Sequence, residues 1–171
     1  HHDPHDAGRH PGGRPGVITI RTTRGDTRVE GQVSATGSGG QGGQIHLLGE
    51  RVAVGQAVVD ASGSSGGGAI LVGGDYQGAN PAVQNASRVA VGANAVLRAD
   101  ATVQGDGGRV IVWADQNTRF AGHLSVRGGP EGGDGGFAEV SGKEQLAFSG
   151  TADLTAPAGR AGSLLLDPLD I

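Results

Sequence analysis

The feature that most constrains the fold of this chain is an internal repeat. Pairs of glycines precede short alternating apolar runs, and these runs recur along nearly the whole sequence. Self-similarity with a period of about 20 to 50 residues is typical of solenoids and propellers, so the repeat narrows the fold class at once. One residue from each run defines a first column: Ile18, Ile45, Ile70, Val110, Ala138 and Leu164.

The spacing of this first column is nearly regular. Its successive steps are 27, 25, 40, 28 and 26 residues. The long step contains a polar stretch with Asn, Pro and Gly at about residues 75–87, and leaving it out restores a step in the high twenties. Insertions within one repeat of a solenoid map to a loop on one face, so we interpret residues 75–87 as an inserted loop.

Two further columns lie within each repeat. Residues in their runs alternate between apolar and polar, which places every second side chain on the same face of a strand. The second predicted column comprises Val29, Val52, Val89, Phe120 and Leu146. The third comprises Val33, Val59, Leu97, Leu124 and Leu154.

Three short strands in each repeat of roughly 26 residues predict an all-β fold, a right-handed single-stranded parallel β-helix of about five to six coils. The alternative is a sandwich or barrel of hairpins. Asp106-Gly107 and Asp134-Gly135 suit hairpin turns, but they recur once per repeat rather than once per strand pair. We therefore expect a β-helix domain over residues 16–171, preceded by a flexible tail over residues 1–15.

Composition excludes several classes of protein. The 171 residues include 35 glycines and no cysteine, so a disulfide framework and a thiolate metal site are both excluded. No apolar run approaches the roughly 20 residues of a membrane span, which argues against membrane insertion. The formal net charge of −4 gives no reason to expect a nucleic-acid partner.

The last part of the chain, residues 105–171, resembles a known family. It contains the run Gly-Gly-Phe-Ala-Glu-Val-Ser-Gly-Lys at residues 135–143 and the ending Leu-Leu-Leu-Asp-Pro at residues 164–168. These motifs resemble the filamentous-haemagglutinin-like exoproteins of two-partner secretion. The Asn-Pro-Asn-Gly type motifs of that family's amino-terminal secretion module are not found, which predicts an internal piece or a matured product.

The resemblance implies a β-helix that is exported through an outer-membrane secretion partner. It implies a secreted or cell-surface protein of a Gram-negative-type bacterium, an adhesin or a biofilm-matrix protein. Its other partners would be a host surface, a neighbour-cell surface or a polysaccharide. The family supplies no catalytic residues and no cofactor, and we expect neither here.

A second hypothesis is a structural subunit that polymerises with itself. A β-helix has two open ends, whose unpaired N–H and C=O groups template further pairing, and head-to-tail contact of this kind yields filaments. The end of the chain is strongly apolar. The candidate self-association residues are Leu164, Leu165, Leu166, Leu169 and Ile171.

Apolar residues also fall on the outward parity of the first column. Leu71, Ile111 and Trp113 would form a patch on one outer face, and such patches often mark contact surfaces. The alternative is that the inserted loop, around residues 76–83, folds over the patch and buries it. The sequence leaves both alternatives open.

Catalysis and metal binding are not expected. Asp60 and Arg98 are the charged outward residues of the third column, one coil apart, and we predict a surface ion pair rather than a hydrolytic pair of carboxylates. A polysaccharide-binding or polysaccharide-cleaving β-helix is the less favoured alternative. The start of the chain is rich in His and Asp, and residues 128–136 are rich in Gly, but a polar tail and a tight corner explain them better than Zn²⁺ or Ca²⁺ sites.

Overall fold

The structure is a computed structural model that describes residues 16–168. The fold is an all-β solenoid of about five turns, with about 28 residues per turn. Its strands form a single 12-stranded sheet in which all strand pairs are parallel. Within the described range the one helical segment is a 3₁₀ helix, Tyr76–Gly78. The predicted tail over residues 1–15 lies outside the described residues.

Two strands run around almost a full coil each. They are β1 (Val17–Ser34) and β2 (Gln44–Asp60). Later coils are divided into shorter strands by corners. These strands are β3 (Ala69–Val72), β4 (Arg88–Val91), β5 (Val96–Arg98), β6 (Arg109–Ala114), β7 (Asn117–Phe120), β8 (His123–Ser125), β9 (Phe137–Gly142), β10 (Gln145–Phe148), β11 (Thr151–Asp153) and β12 (Ser163–Asp167).

The solenoid has three faces. The first face stacks the beginnings of β1 and β2 with β3, β6, β9 and β12. The second face stacks the middle parts of β1 and β2 with β4, β7 and β10. The third face stacks the ends of β1 and β2 with β5, β8 and β11.

The first predicted column is confirmed residue for residue on the first face. Ile18 pairs with Ile45, Ile45 with Ile70, and the ladder continues through the predicted partners to the last strand. Its four interior members are fully buried, and each buried aliphatic side chain contributes roughly 1.5–3 kcal/mol to folding. The regular steps of the sequence are therefore the steps of the coil.

The second predicted column is wrong in register at two positions. Val29 pairs with Val54, and Phe120 pairs with Phe148. Val29 and Phe120 therefore belong to the inward level two residues after the one that contains Val52. The level of Val52 is completed by two threonines, Thr27 and Thr118. Both threonines point inward, and each hydroxyl donates to a backbone carbonyl over 2.7 Å. Buried hydroxyls with partners are tolerated in a core, and a pattern of apolar residues misses them.

The third predicted column is correct except at its last member. Val33, Val59, Leu97 and Leu124 stack in order, but Ala152 and not Leu154 pairs with Leu124. By the same register, Leu154 falls beside Val126, two residues further along. The error has the same cause as on the second face. Inward positions repeat every two residues, so Ala152 and Leu154 both point inward, and the larger Leu154 was chosen as the core residue.

The step of 40 residues in the first column has a structural counterpart between β3 and β4. Leu47 and Arg51 are four residues apart, whereas their pairing partners in the next coil, Val72 and Arg88, are 16 apart. The extra chain leaves the solenoid after β3, forms the 3₁₀ helix and returns at β4. We call residues 73–87 the cap loop, because they lie over the outer side of the first face.

Candidate functional site

The outward column of the first face is buried, not exposed. Leu71 and Trp113 are each 6% exposed and Ile111 is 0% exposed, and the three form a small apolar cluster with Val83 and Phe137. These three residues therefore do not form the exposed contact patch that the sequence had offered as one alternative, because the cap loop covers them. Of the two alternatives left by the sequence, burial under the loop describes the molecule.

Aromatic and cationic contacts fasten the cap loop to the coils. The Tyr76 ring meets the Phe137 ring edge to face, with 5.7 Å between centroids. The Arg109 guanidinium lies over both rings, 5.4 Å from the Tyr76 centroid and 5.2 Å from that of Phe137. Each such cation–π contact contributes roughly 0.5–1 kcal/mol near a surface, so the loop is held by more than its own backbone.

A buried carboxyl group lies beneath the same loop. Glu139 is on β9 and is fully buried. Its Oε1 accepts a hydrogen bond of 2.9 Å from the backbone N–H of Gln77, and its Oε2 accepts one of 2.8 Å from the Ser141 hydroxyl. Burial raises the pKa of Glu139, although these two hydrogen bonds act in the opposite direction. The loop and the carboxyl group are thus directly coupled.

The indole ring of Trp113 packs directly against the cap loop. Its indole N–H donates to Asp115 over 2.9 Å, and Asn85 donates to the same carboxylate over 3.1 Å. Gly78 approaches the indole so closely that a Cβ at this position would lie 2.5 Å from ring atoms, and its φ of +62° also favours glycine. The close fit of loop and indole requires a residue without a side chain.

The third face carries a polar depression of about 330 Å³. As predicted, Arg98 and Asp60 form an ion pair there, at 3.6 Å. Two more carboxylates, Asp100 and Asp153, line the same depression, and the sequence analysis did not expect them. Asp153 pairs with Ser125 in the ladder, so it occupies an outward position of the third face.

These carboxylates are engaged by neighbouring donors. Asp100 is buried and accepts from the Ser125 hydroxyl, and from the backbone N–H and the guanidinium of Arg127 at 2.7 and 3.0 Å. Hydrogen bonds from Thr155 lower the pKa of Asp153, so this carboxylate stays ionised. An ionised carboxylate does not serve as the proton donor that glycoside hydrolysis requires.

The second face carries a groove that the sequence analysis missed. A depression of about 350 Å³ is lined by small, polar and basic side chains and by one carboxylate, Asp26. Four arginines surround it: Arg28, Arg51, Arg88 and Arg119. Each comes from a different coil, 23 to 37 residues from the next, and each directly precedes a residue of the second predicted column, which is the signal that could have revealed them.

The last strand, β12, forms one open end of the described solenoid. Leu164, Leu165 and Leu166 are each half-buried, and Leu164 and Leu166 pack against the core. Strand β12 pairs with β9 and with no other described strand. The remaining self-association candidates, Leu169 and Ile171, lie outside the described residues.

Residues 16–168 contain neither a metal-binding cluster nor a membrane-spanning helix. No group of three or more His, Asp or Glu side chains is placed to hold a metal ion in that range. Nor does the range contain a helix long and apolar enough to cross a membrane. The His- and Asp-rich start of the chain lies outside the described residues.

Comparison with known proteins gives a structural relative. No family model matches the sequence, and no curated protein matches it. Among solved structures, the HMW1 secretion domain from Haemophilus influenzae aligns with 90% of this chain at a TM-score of 0.73 and 26% sequence identity. The chain spans 40% of the length of that structure.

The solved relative is a secretion domain, and the expectation that this chain is an internal piece or a matured product stays a prediction. The shared fold extends over nearly all of the described solenoid. The chain is thus a parallel β-solenoid similar to the HMW1 secretion domain.

Proposed function

We propose that this chain is a segment of a secreted bacterial surface protein, exported by two-partner secretion and acting as an adhesin or biofilm-matrix protein. The observation that carries this proposal is the likeness to the HMW1 secretion domain, at a TM-score of 0.73 over 90% of the chain. The resemblance of residues 105–171 to filamentous-haemagglutinin-like exoproteins supports it independently. In this proposal the protein is not an enzyme and works by presenting surface to another cell, a host or a matrix.

Export is tested by removing the secretion partner. In the source bacterium, the gene for the cognate outer-membrane barrel is deleted, and intact cells are labelled with an antibody against this chain. We expect surface labelling to disappear and to return when the barrel is supplied in trans. Unchanged labelling of cells without the barrel contradicts the secretion route, whatever the role of the protein after export.

Adhesion is tested separately with the purified chain. Beads coated with it are incubated with cells and with preformed biofilm, and beads coated with a non-binding protein of similar charge serve as the control. We expect retention of the coated beads and competition by soluble chain. Equal retention of both kinds of bead contradicts the adhesin role while leaving the export route untouched.

A self-assembling filament is the second candidate function. It is favoured by the described ends of the sheet, because β1 pairs only with β2 and β12 only with β9 among the described strands. Electron microscopy across a concentration series distinguishes the two. Uniform filaments one solenoid wide support polymerisation through the ends, and monomers at every concentration contradict it.

A further inference from the structure

The groove on the second face has a regular geometry. Two outward columns run along it, one through Asp26, Arg51, Arg88, Asn117 and Gln145 and the other through Arg28, Ala53, Ala90, Arg119 and Ala147. Four consecutive coils therefore contribute one arginine each. Since neighbouring strands are about 4.8 Å apart, the arginines span three steps, about 14 Å along the solenoid axis.

The two alanines of the second column form the floor of the groove. Ala53 and Ala90 lie between Arg28 and Arg119, so one arginine stands at each end of the floor. Arg51 and Arg88 stand along one side of it. The result is a shallow, open channel parallel to the axis, with arginines at both ends and along one side. The alanine side chains of its floor are too small to obstruct a chain-like ligand.

The charges of this groove are not balanced within the described protein. Arg51 forms ion pairs with Asp26 and with Glu50. Arg28, Arg88 and Arg119 form no ion pair within residues 16–168, although the whole chain carries a net charge of −4. The positive charge is thus local to this face and is available to an anion from outside.

One pair of residues indicates an anionic ligand more directly. Arg51 and Arg88 are direct partners in the parallel ladder, and Asp26, on the other side of Arg51, pairs with Arg51 but not with Arg88. Like charges placed opposite each other in a sheet are destabilising, so Arg88 is the less compensated member of this pair. An anion beside Arg88 offsets its charge and gains charge-assisted hydrogen bonds.

We propose that the arginine groove binds an acidic polysaccharide, a chain of uronate residues laid along the solenoid axis. This inference deepens the proposed surface role and rests on it, since it names the class of molecule that the surface recognises. A guanidinium pairs with a carboxylate through two parallel hydrogen bonds, which suits one carboxylate per sugar unit. A chain laid along the axis presents its carboxylates over the same length of about 14 Å along which the four arginines are distributed.

The chemistry of the groove favours a uronate chain over nucleic acid. Asp26 and Glu50 pair with Arg51, so only three arginines of the groove have no ion pair among the described residues, fewer than the many phosphate contacts by which proteins bind a duplex. The side chains that line the groove include no aromatic ring on which unpaired bases would stack. The test must therefore distinguish binding of a uronate chain from binding of nucleic acid.

The test measures binding of oligogalacturonates of increasing length to the purified chain by calorimetry, at fixed moderate ionic strength. We expect affinity to rise with each uronate up to about four units, the span of the four arginines, and to level off beyond that length. Neutral dextran oligomers of the same lengths should not bind. Affinity that is independent of length, or equal for dextran, overturns the proposal.

Matched variants locate the site. The double variant Arg88→Gln with Arg119→Gln removes two groove charges, and Arg21→Gln with Arg160→Gln removes two exposed charges elsewhere. We expect about a tenfold loss of affinity in the first and less than a twofold change in the second. Equal losses in both would mean attraction by overall charge and would overturn the groove as the site.

Two further measurements keep the result clear. The melting temperature of the groove double variant should match that of the unsubstituted chain, because Arg88 and Arg119 are exposed and form no ion pair with the described residues, so lost binding does not reflect misfolding. Duplex DNA that binds as tightly as the uronate chain and is weakened by the same variant overturns the assignment to uronates. Surface labelling of cells that carry the variant reports on export alone, so failure of the groove and failure of the proposed function remain distinguishable.

Discussion

Glu139 links the charge state of one residue to the seating of the cap loop. Its carboxyl group is fully buried, and its pKa is raised above 4.5 by that burial. In the unfolded chain the group ionises at its ordinary pKa, so between the two pKa values the folded state holds the proton more tightly. The contribution of this group to stability is therefore full at low pH and is lost as pH rises through the folded pKa.

Glu139→Gln should remove this dependence on pH. The amide oxygen still accepts from the Gln77 N–H, and the amide nitrogen donates to the Ser141 hydroxyl. We expect the variant and the unsubstituted chain to melt together below pH 4.5, and the variant to melt at the higher temperature at neutral pH. Thermal unfolding across this pH range measures it, with exposed Glu144→Gln as control. A difference that does not change with pH contradicts the role of this carboxyl group.

Gly78→Ala tests the contact between the loop and Trp113. An added Cβ would meet the indole at 2.5 Å in a left-handed backbone conformation, so overpacking and strain should together cost about 1–3 kcal/mol. Denaturant unfolding gives the cost, and the emission of the single tryptophan reports whether the loop has lifted. Gly39→Ala is the control, because a Cβ there meets nothing within 4 Å. Equal stability of the two variants would contradict the close fit.

At the scale of the element, the short strands are stabilised by the ladder and not by themselves. Strand β8 has three residues, and its central Leu124 is fully buried between Leu97 and Ala152. Its neighbours along the strand contribute little to the core. Each strand of this length exists only because an identical level lies above and below it.

Leu124→Asp should collapse the fold. The carboxylate would be unpaired among aliphatic side chains, at a cost of several kcal/mol, which is a large part of the stability of a domain. We expect loss of the β-type circular dichroism signal at room temperature. Ala147→Asp adds the same charge at an exposed outward position of β10 and should be nearly neutral. A normal melting curve for Leu124→Asp would refute this register.

The strands differ in how far the sequence predicts them. The first face is predicted to the residue because four of its six strands directly follow a glycine pair and the other two follow a single glycine, which fixes their starts. The second and third faces have no such marker, so register was inferred from side-chain size alone and slipped by two residues at Val29, Phe120 and Leu154. Inward threonines caused part of the error in register. An alternating pattern assigns a polar residue to the outer face, whereas these two hydroxyls are buried and donate to backbone carbonyls.

The site was less predictable than the fold for a related reason. The repeat identifies outward positions but not what covers them, so burial of Leu71, Ile111 and Trp113 depended on where the cap loop folds. The sequence did carry a signal for the arginine groove, because Val29, Val52, Val89 and Phe120 of the second predicted column each directly follow an arginine. The register shows that these arginines alternate between two neighbouring outward columns with alanines between them, which the sequence pattern alone does not predict.

At the scale of the whole molecule, stability should vary along the axis. Each coil contacts its neighbours alone, and strands such as β6 have a partner on both sides, whereas β1 and β12 have one among the described strands. Local opening is cheapest where backbone hydrogen bonds have the fewest neighbours. The solenoid should therefore open from its ends.

Hydrogen exchange should show this gradient directly. We expect amides of β6 to be protected longest and those of β1 and β12 to exchange by orders of magnitude sooner, since local opening costs less than global unfolding. Mass spectrometry of peptides from each coil measures it. Uniform protection of all coils in the monomer contradicts the gradient, whereas protection of the ends that grows with protein concentration supports end-to-end association.

The cap loop adds twelve residues to one coil without disturbing the stack. On either side of it, Val72 still pairs with Val112 and Arg88 with Asn117, in unbroken register. In evolutionary terms, the corners of this solenoid tolerate large insertions, while the ladders tolerate almost none. Lineages can therefore add, lengthen or exchange such loops and acquire a new outer surface on an inherited core, one corner at a time.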